Sequence, residues 1–146
     1  MTNNFIAEYN ELKKIQEACD KAKTEEERLE ARGEYIRFKN GLLAEKGTEY
    51  VKAFRLFKEA WDKGNNYIDF SDTIKDEEVP NFVKTLRSLG FRKFTFSSSW
   101  SGAIETAWTF IKNGCLLEGM VEINGEPKDI FSDEYEKIHA FLFNLN

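Results

Sequence analysis

The sequence predicts an α+β fold, with an N-terminal three-helix segment followed by a βαβαββ unit that forms a small mixed four-stranded sheet. Apolar residues recur at helical spacing through residues 1–64, and no proline interrupts them. From residue 67 onward, short β-type runs alternate with helical patterns, which favours parallel strands joined by helical crossovers. We expect 1–64 and 65–146 to be two segments of one compact domain, because 146 residues leave little room for two cores.

Three helices are expected in the first segment. Thr24, followed three residues later by Glu27, is a capping-box signature that separates the first helix from the second. Gly47 offers a C-terminal stop for the second helix, and Thr48 offers an N-cap for the third. The Gly-Asn-Asn sequence at 64–66 then ends the third helix.

Strands and helices alternate in the second segment. The periodicity predicts a strand over 67–70, a helix over 76–89, a strand over 91–96, a helix capped by Ser101, and a strand over 115–123.

The apolar run at 138–145 is open to two interpretations. It is either a strand returning antiparallel to 116–123 or the end of a helix capped at Ser132, and we take the strand. Asn124 followed by Gly125 is a type I′ turn signal before it, although the polar stretch to residue 137 makes the connection longer than a two-residue hairpin.

The charge and the cysteine count exclude several classes of function. With 26 acidic and 21 basic residues the net charge is -5, which argues against direct binding to nucleic acid. Two cysteines and one histidine are too few for a structural zinc site, so no metal and no cofactor are expected. No signal-peptide pattern and no apolar run of membrane-spanning length occurs, so we expect a cytoplasmic protein with no membrane partner.

The most distinctive charged feature is the segment 118–136, which has seven acidic residues and a single basic one, Lys128. It is either a solvated loop or an acidic lobe that docks on a basic groove of a partner protein. Trp100 is the predicted apolar anchor, because it lies in a serine-rich loop where no periodicity buries it. The candidate partner-binding residues are Trp100, Glu118, Glu122, Glu126, Asp129, Asp133, Glu134 and Glu136.

A second candidate site is the loop 97–101, between a predicted strand and a predicted helix. Hydroxyls and free backbone N–H groups at a helix N-terminus can hold an anion, and the loop 69–73, which includes Thr73, would end at the same edge of a parallel sheet. The alternative interpretation is that these serines only cap the helix and satisfy the turn. The candidate anion- or ligand-binding residues are Asp69, Ser71, Asp72, Ser97, Ser98, Ser99, Ser101 and Glu105.

Catalysis and nucleic-acid binding have little support. His139 is the single histidine, and it would lie on the strand next to Cys115, but a cysteine in an apolar strand is not an activated nucleophile. Arg87, Arg92 and Lys93 form a basic patch with interleaved phenylalanines, yet three charges in a net-acidic half are too few. We therefore expect no catalytic residues and no enzyme.

Heptad spacing of Leu29, Ile36 and Leu43 leaves self-assembly open as a third possibility. A helical segment with this spacing can pair with a second copy. The expected state is accordingly a monomer or a homodimer.

The run from Phe94 to Glu105, with Gly114-Cys115 and 119–124 after it, resembles small uncharacterised bacterial proteins grouped as a domain of unknown function and found on plasmids, conjugative elements and phages. The resemblance covers roughly residues 67–145 and implies no catalytic residues. It implies that this protein is an accessory or anti-defence (anti-CRISPR-like) protein that binds and blocks a nucleic-acid-processing host protein. The expected function is therefore a non-enzymatic protein-interaction module, and the alternative is small-molecule or anion binding, with or without catalysis, at 69–73 and 97–101.

Overall fold

The computed structural model describes residues 5–72 and 74–146. In chain order its elements are α1 (Ile6–Lys21), α2 (Glu25–Lys46), α3 (Thr48–Lys63), β1 (Asp69–Phe70), α4 (Val79–Ser88), β2 (Lys93–Phe96), α5 (Ala103–Lys112), β3 (Leu116–Pro127) and β4 (Tyr135–Asn144). Three helices followed by a βαβαββ unit confirm the predicted α+β fold.

The chain divides into two compact units, one ending at Phe54 and the other beginning at Arg55, so the division falls inside α3. The expectation of one compact domain remains a prediction. Within the described residues, no helix has both the length and the apolar composition that crossing a membrane requires.

In the first unit, the capping box between α1 and α2 is formed as expected. The Thr24 hydroxyl accepts a hydrogen bond from the Glu27 N–H at 3.1 Å, and the Glu27 carboxylate accepts one from the Thr24 N–H at 3.3 Å. Phe5 is fully buried, with its ring centroid 5.1 Å from that of Tyr50 and 5.6 Å from that of Phe54. These aromatic contacts and the cap fix the helices of this unit.

In the second unit, the four strands form one mixed sheet in the order β1-β2-β4-β3. β1 pairs with β2 in parallel, and β4 pairs antiparallel with both β2 and β3. The C-terminal run is therefore a strand antiparallel to β3, which confirms that interpretation and excludes the helix capped at Ser132. β4 takes the central place because Ala140, Leu142 and Phe143 are all buried, as a strand covered on both faces requires.

One face of the sheet packs against α4 and α5 through aromatic rings. The Phe110 ring of α5 lies 4.9 Å from that of Phe94 and 5.5 Å from that of Phe143. Phe82 of α4 contacts Phe70 of β1 at 5.5 Å. The two crossover helices therefore cover the same face and form the main core of this unit.

Three local predictions are wrong in detail. β3 runs through Asn124 and Gly125 to Pro127, so the chain does not turn at this pair. The Asn124 side chain bonds instead to the end of α3, and this nonlocal bond overrides the local turn signal. Ser101 does not cap α5, whose N-cap is Gly102 with no side-chain hydrogen bond, and Thr48 is the first residue of α3 rather than its cap.

Candidate functional site

The β3–β4 hairpin carries the most unusual surface of the second unit. Residues 128–134 connect the strands, and at their centre the side chains of Ile130 and Phe131 are 90% and 92% exposed. The Asp129 carboxylate accepts a hydrogen bond from the Phe131 N–H at 2.8 Å, and the Lys128 N–H donates to the Glu134 carbonyl at 2.9 Å. Polar groups thus hold the loop in shape while its two large apolar side chains point into solvent.

The acidic residues predicted to bind a partner are spread along this hairpin rather than gathered in one patch. Three form ion pairs, Glu118 with Lys93 at 2.8 Å, Glu126 with Lys63 at 3.9 Å and Glu134 with Lys128 at 3.3 Å. In the part of the chain that the structure describes, Glu122, Asp129, Asp133 and Glu136 have no ion pair. The tip, with Asp129, Asp133 and Glu134, is therefore the densest group of carboxylates, while Glu118 lies roughly 35 Å away along β3.

The ion pair at the base of β3 is a local structural contact. Glu118 accepts hydrogen bonds from the Lys93 ammonium and from the Asn144 amide, both at 2.8 Å. These bonds lower the pKa of Glu118 and raise the pKa of Lys93, in each case mainly through the hydrogen bond between the two. Glu118 thus has partners from β2 and β4 within its own chain.

Trp100 is 67% exposed in the loop between β2 and α5, as expected for an anchor. β2 ends at Phe96 opposite Phe141 of β4, and residues 135–140 continue past that end. Trp100 therefore lies at the same end of the sheet as the hairpin. No described contact joins its ring to the hairpin tip.

Ile130 and Phe131 were missed by reasoning from the sequence. The strand and helix periodicities cannot assign them, because they lie in a turn. The available signal is the sequence Asp-Ile-Phe-Ser-Asp at 129–133, in which two large apolar residues stand inside a polar turn-forming stretch. Such a pair is unexpected in a loop that only connects two strands.

The structure brings only some residues of the predicted anion site together. Asp69, Ser71 and Ser97 line one small cleft of about 120 Å³, whereas Asp72, Ser98, Ser99, Ser101 and Glu105 do not line it. Thr73 lies outside the described residues. The Ser98 hydroxyl accepts a hydrogen bond from the Trp100 N–H at 3.3 Å, which is the turn-forming role considered above. Glu105 is exposed on α5.

The cleft lies on the sheet face opposite α4 and α5, beside the α3 residues from Leu56 onward. Its lining also includes the carboxylates of Glu59, Glu126 and Glu136 and a single ammonium, that of Lys63. This excess of negative charge opposes an anion. The volume is also below the several hundred Å³ of an ordinary small-molecule site.

Asp69 has a structural role in this cleft. Its carboxylate accepts hydrogen bonds from the Thr95 hydroxyl at 2.7 Å and the Ser97 hydroxyl at 2.5 Å, joining β1 to β2. Burial raises the pKa of the Asp69 carboxyl, although those hydroxyls and the nearby Lys63 ammonium act in the opposite direction. The contacts of Asp69 are therefore those of a strand-to-strand clamp.

A second polar clamp joins the end of α3 to β3. The Asn124 amide donates to the Lys63 carbonyl at 2.6 Å, and its carbonyl oxygen accepts from the Lys137 ammonium. The Asn65 side chain in turn accepts from the Asn124 N–H at 2.9 Å and donates to the Asn124 carbonyl at 3.0 Å. This network holds the part of the hairpin next to its loop against the helix end.

Cys115 and His139 are not neighbours, so the prediction that they lie together is wrong. His139 pairs with Glu122, whereas Cys115 comes just before the register pair of Leu116 and Asn144. Six positions along β4 separate Cys115 from His139, or roughly 20 Å. Burial raises the pKa of the Cys115 thiol to about 11, so it is protonated at neutral pH.

Two of the three residues of the predicted basic patch are bonded within the chain. Arg87 donates to the Leu145 carbonyl at 2.6 Å, and Lys93 is paired with Glu118. Phe91 and Phe94 are buried, so neither ring can stack on a base. Among the described residues, no group of three or more His, Cys, Asp or Glu side chains is arranged to hold a metal ion.

The heptad-spaced Leu29, Ile36 and Leu43 are all exposed on α2. Their exposure leaves them accessible to a second copy. Homodimer formation through them remains a prediction.

One family model matches the part of the chain that contains the sheet, both clamps and the hairpin. The model of the family described as Domain of unknown function (DUF7698) matches residues 52–145. The chain belongs to the DUF7698 family. The match begins inside α3, earlier than the expected 67, and leaves α1 and α2 outside. The family description of DUF7698 names no activity, and neither a curated protein nor a solved structure matches the chain.

Proposed function

We propose that this DUF7698 protein is a non-enzymatic protein-interaction module whose β3–β4 hairpin binds a basic surface of a partner protein. The observation that carries the proposal is the exposure of Ile130 and Phe131, 90% and 92%, at the hairpin tip. Large apolar side chains held out into water between carboxylates have the composition of an interface anchor with a polar rim.

The two kinds of side chain would have different roles in such an interface. Ile130 and Phe131 supply the apolar area that a partner pocket buries, which slows dissociation. Asp129 and Asp133 bring negative charge beside them, which speeds association with a basic surface and selects against acidic ones. Binding should therefore weaken as salt is added, without vanishing.

The finer part of the proposal concerns the biological setting. We propose that the partner is a nucleic-acid-processing host protein and that the protein is a cytoplasmic accessory or anti-defence protein of a mobile element. The resemblance to proteins of plasmids and phages supports this setting. The acidic hairpin supports the partner class, because carboxylates can occupy a groove that otherwise binds phosphates.

The test is affinity capture of the tagged protein from a bacterial lysate at low and at high salt, followed by mass spectrometry. We expect a stoichiometric partner with a basic surface. Reversing the charge of Glu126, Asp129, Asp133 and Glu134 should abolish capture at low salt. Replacing Ile130 and Phe131 by serine should abolish capture at both salt concentrations.

The matched control replaces Leu29 and Ile36 by serine, because these residues are also exposed apolar side chains but lie on α2. The control variant should retain the partner. Capture that survives both hairpin variants, with an unchanged salt dependence, would contradict the proposed function.

A further inference from the structure

α4 and α5 cover only part of the sheet face on which they pack. The Phe110 ring of α5 lies 5.5 Å from that of Phe143 in β4, and β3 lies beyond β4 at the end of the sheet. Leu117 of β3 pairs with Phe143 and therefore lies on the α5 face. Met120 pairs with Phe141, two residues before Phe143, and lies on the same face. Both β3 side chains are exposed, so this part of the sheet is an open apolar floor.

The side of α5 that faces this floor is also apolar. Thr109 marks the other side of the helix, because its hydroxyl donates to Asp76, just before α4, at 2.9 Å. At 100° per residue, Ile104 and Ile111 lie about 120° and 100° around the helix from the sheet-facing Phe110, on the side away from α4. Since α4 packs against β1, at the opposite end of the sheet, these two side chains face toward β3.

α5 forms a step beside the floor. Trp108 lies about 160° around the helix from Phe110, so its ring points away from the sheet on which α5 packs. The step is one helix, or about 10 Å, high. It has Trp108 on its top and Ile104 and Ile111 on the flank that meets the floor.

The exposed apolar side chains of the step and the floor have enough area for a protein interface. Their exposed fractions are 81% for Ile104, 57% for Trp108, 38% for Ile111, 48% for Leu117 and 61% for Met120. With roughly 120 Å² for an aliphatic side chain and roughly 200 Å² for tryptophan, the apolar area is about 400 Å². Since about 57% of an ordinary interface is apolar, this area corresponds to roughly 700 Å² on each copy. A stable dimer buries about 600–1,000 Å² of each copy.

The shape of this surface is complementary to itself. The floor spans β3 and the half-buried Phe141 of β4, or roughly 10 Å, which is the width of one helix. A two-fold axis parallel to the strands places α5 of each copy on the floor of the other. Trp108 then lies on Leu117 and Met120 of the second copy. Ile104 and Ile111 each face their own counterparts across the axis.

Charge also favours a second copy as the occupant. Glu105 and Lys112, on the outer side of α5, have opposite charges, and Glu122 adds one carboxylate on the floor beyond Met120. A strongly charged partner would find little to pair with on such a surface. An identical, nearly neutral surface meets little repulsion there.

We propose that the protein forms a homodimer in which the α5 step of each copy fills the open β3 floor of the other. This inference goes beyond the proposed function, because it uses neither the hairpin tip nor another protein. Since the two-fold axis runs along the strands, both hairpin tips project from the same end of the dimer. A partner with two binding sites can then be held by both tips at once.

The first test measures the mass of the protein by sedimentation velocity at concentrations up to about 100 µM, where we expect a dimer. Trp108→Lys and Met120→Lys should each weaken dimerisation about tenfold or more, because each places a charge in an apolar contact. Both side chains are exposed, so circular dichroism should show an unchanged fold. The matched control replaces Leu29 and Ile36 of α2 by lysine and should leave the dimer unchanged.

Three results of this test would overturn the inference. A wild type that is monomeric at every concentration would show that the surface does not pair. A dimer that only the α2 variant disperses would be held by α2 instead. A dimer that requires Trp108 but not Met120 would join the copies helix to helix and leave the floor open.

The second test examines the direction of the two helices. In a Cys19→Ser background the remaining cysteine, Cys115, is buried. Ile104→Cys and Ile111→Cys should then each form a disulfide-linked dimer under mild oxidation, because the axis sets each residue beside its own counterpart. Glu105→Cys, on the outer side of α5, is the control and should not crosslink. Crosslinking that occurs only between Ile104→Cys and Ile111→Cys in a mixture would mean antiparallel helices and would overturn the arrangement.

Failure of this inference can be distinguished from failure of the proposed function. Replacing Ile130 and Phe131 by serine should leave the dimer unchanged, because neither residue belongs to the step or the floor. A monomeric protein whose partner capture requires the hairpin tip would keep the proposed function and reject the dimer. A dimer that crosslinks as expected and captures no partner would do the reverse.

Discussion

The two ends of β4 differ in what surrounds them. At one end Phe143 is fully buried, with its ring 5.4 Å from that of Phe94 and 5.5 Å from that of Phe110. At the other end the strand leads into a loop whose Ile130 and Phe131 are almost completely exposed. The stability of the second unit is therefore determined at the aromatic end, and the hairpin tip can present binding groups with little effect on folding.

The largest expected effect lies at the aromatic end. Replacing Phe110 by alanine should lower the free energy of unfolding by about 3–5 kcal/mol, because it empties the space between α5 and four strand phenylalanines. Chemical denaturation followed by circular dichroism measures the change. A loss within about 1 kcal/mol would show that the core does not depend on this ring.

The second-largest effect is expected at the clamp between Asn124 and the end of α3. Replacing Asn124 by alanine leaves the Lys63 carbonyl without its donor and should cost about 1–3 kcal/mol in the same measurement. Glu126→Ala, two residues further along β3, is the control and should stay within about 0.5 kcal/mol. Equal effects of the two substitutions would mean that the clamp is not what holds this part of the hairpin against α3.

Asp69→Asn tests the clamp between β1 and β2 through pH. Because burial raises the pKa of Asp69 in the folded state, the native protein holds this proton more tightly than the unfolded chain does. The contribution of Asp69 to stability is therefore present below the ordinary carboxyl pKa and declines as pH rises through the folded value. As pH falls, the free energy of unfolding of the wild type should rise relative to that of Asp69→Asn. This rise should be smaller than the loss caused by Asn124→Ala. Denaturation at several pH values measures this, and a difference that does not vary with pH would contradict it.

The smallest effect on stability should be at the hairpin tip. Phe131→Ser should change the free energy of unfolding by no more than about 0.5 kcal/mol, since the ring has almost no buried area to lose. The same substitution is expected to abolish partner capture when combined with Ile130→Ser. A stability loss comparable to that of Phe110→Ala would remove the contrast between the two ends.

The order of the elements could be predicted because it depends on local patterns. The bond between Thr24 and Glu27 needs only a spacing of three residues, and the helices follow from apolar periodicity. The place of β4 between β2 and β3 depends on contacts of Phe143 with residues far away in sequence. No periodicity of single residues carries that information.

The candidate site was less accessible to sequence reasoning for the same reason. The acidic residues of 118–136 can be counted in the sequence. Which of their carboxylates form ion pairs depends on where the fold places Lys93 and Lys63. The local sequence at Asn124 predicts a turn, whereas in the fold its amide donates to the carbonyl at the end of α3. Cys115 and His139 were assigned to neighbouring strands, and only the register separates them.

The central position of β4 has a consequence for synthesis of the protein on the ribosome. β4 is the last of the four strands to be made, yet it is the one to which both β2 and β3 pair. Until Asn144 has left the exit tunnel, β2 and β3 both have unpaired edges in the nascent chain. The sheet of this protein therefore closes only once β4 has been made, and keeping β2 and β3 from pairing with other chains until then is a task for which a nascent-chain chaperone is suited.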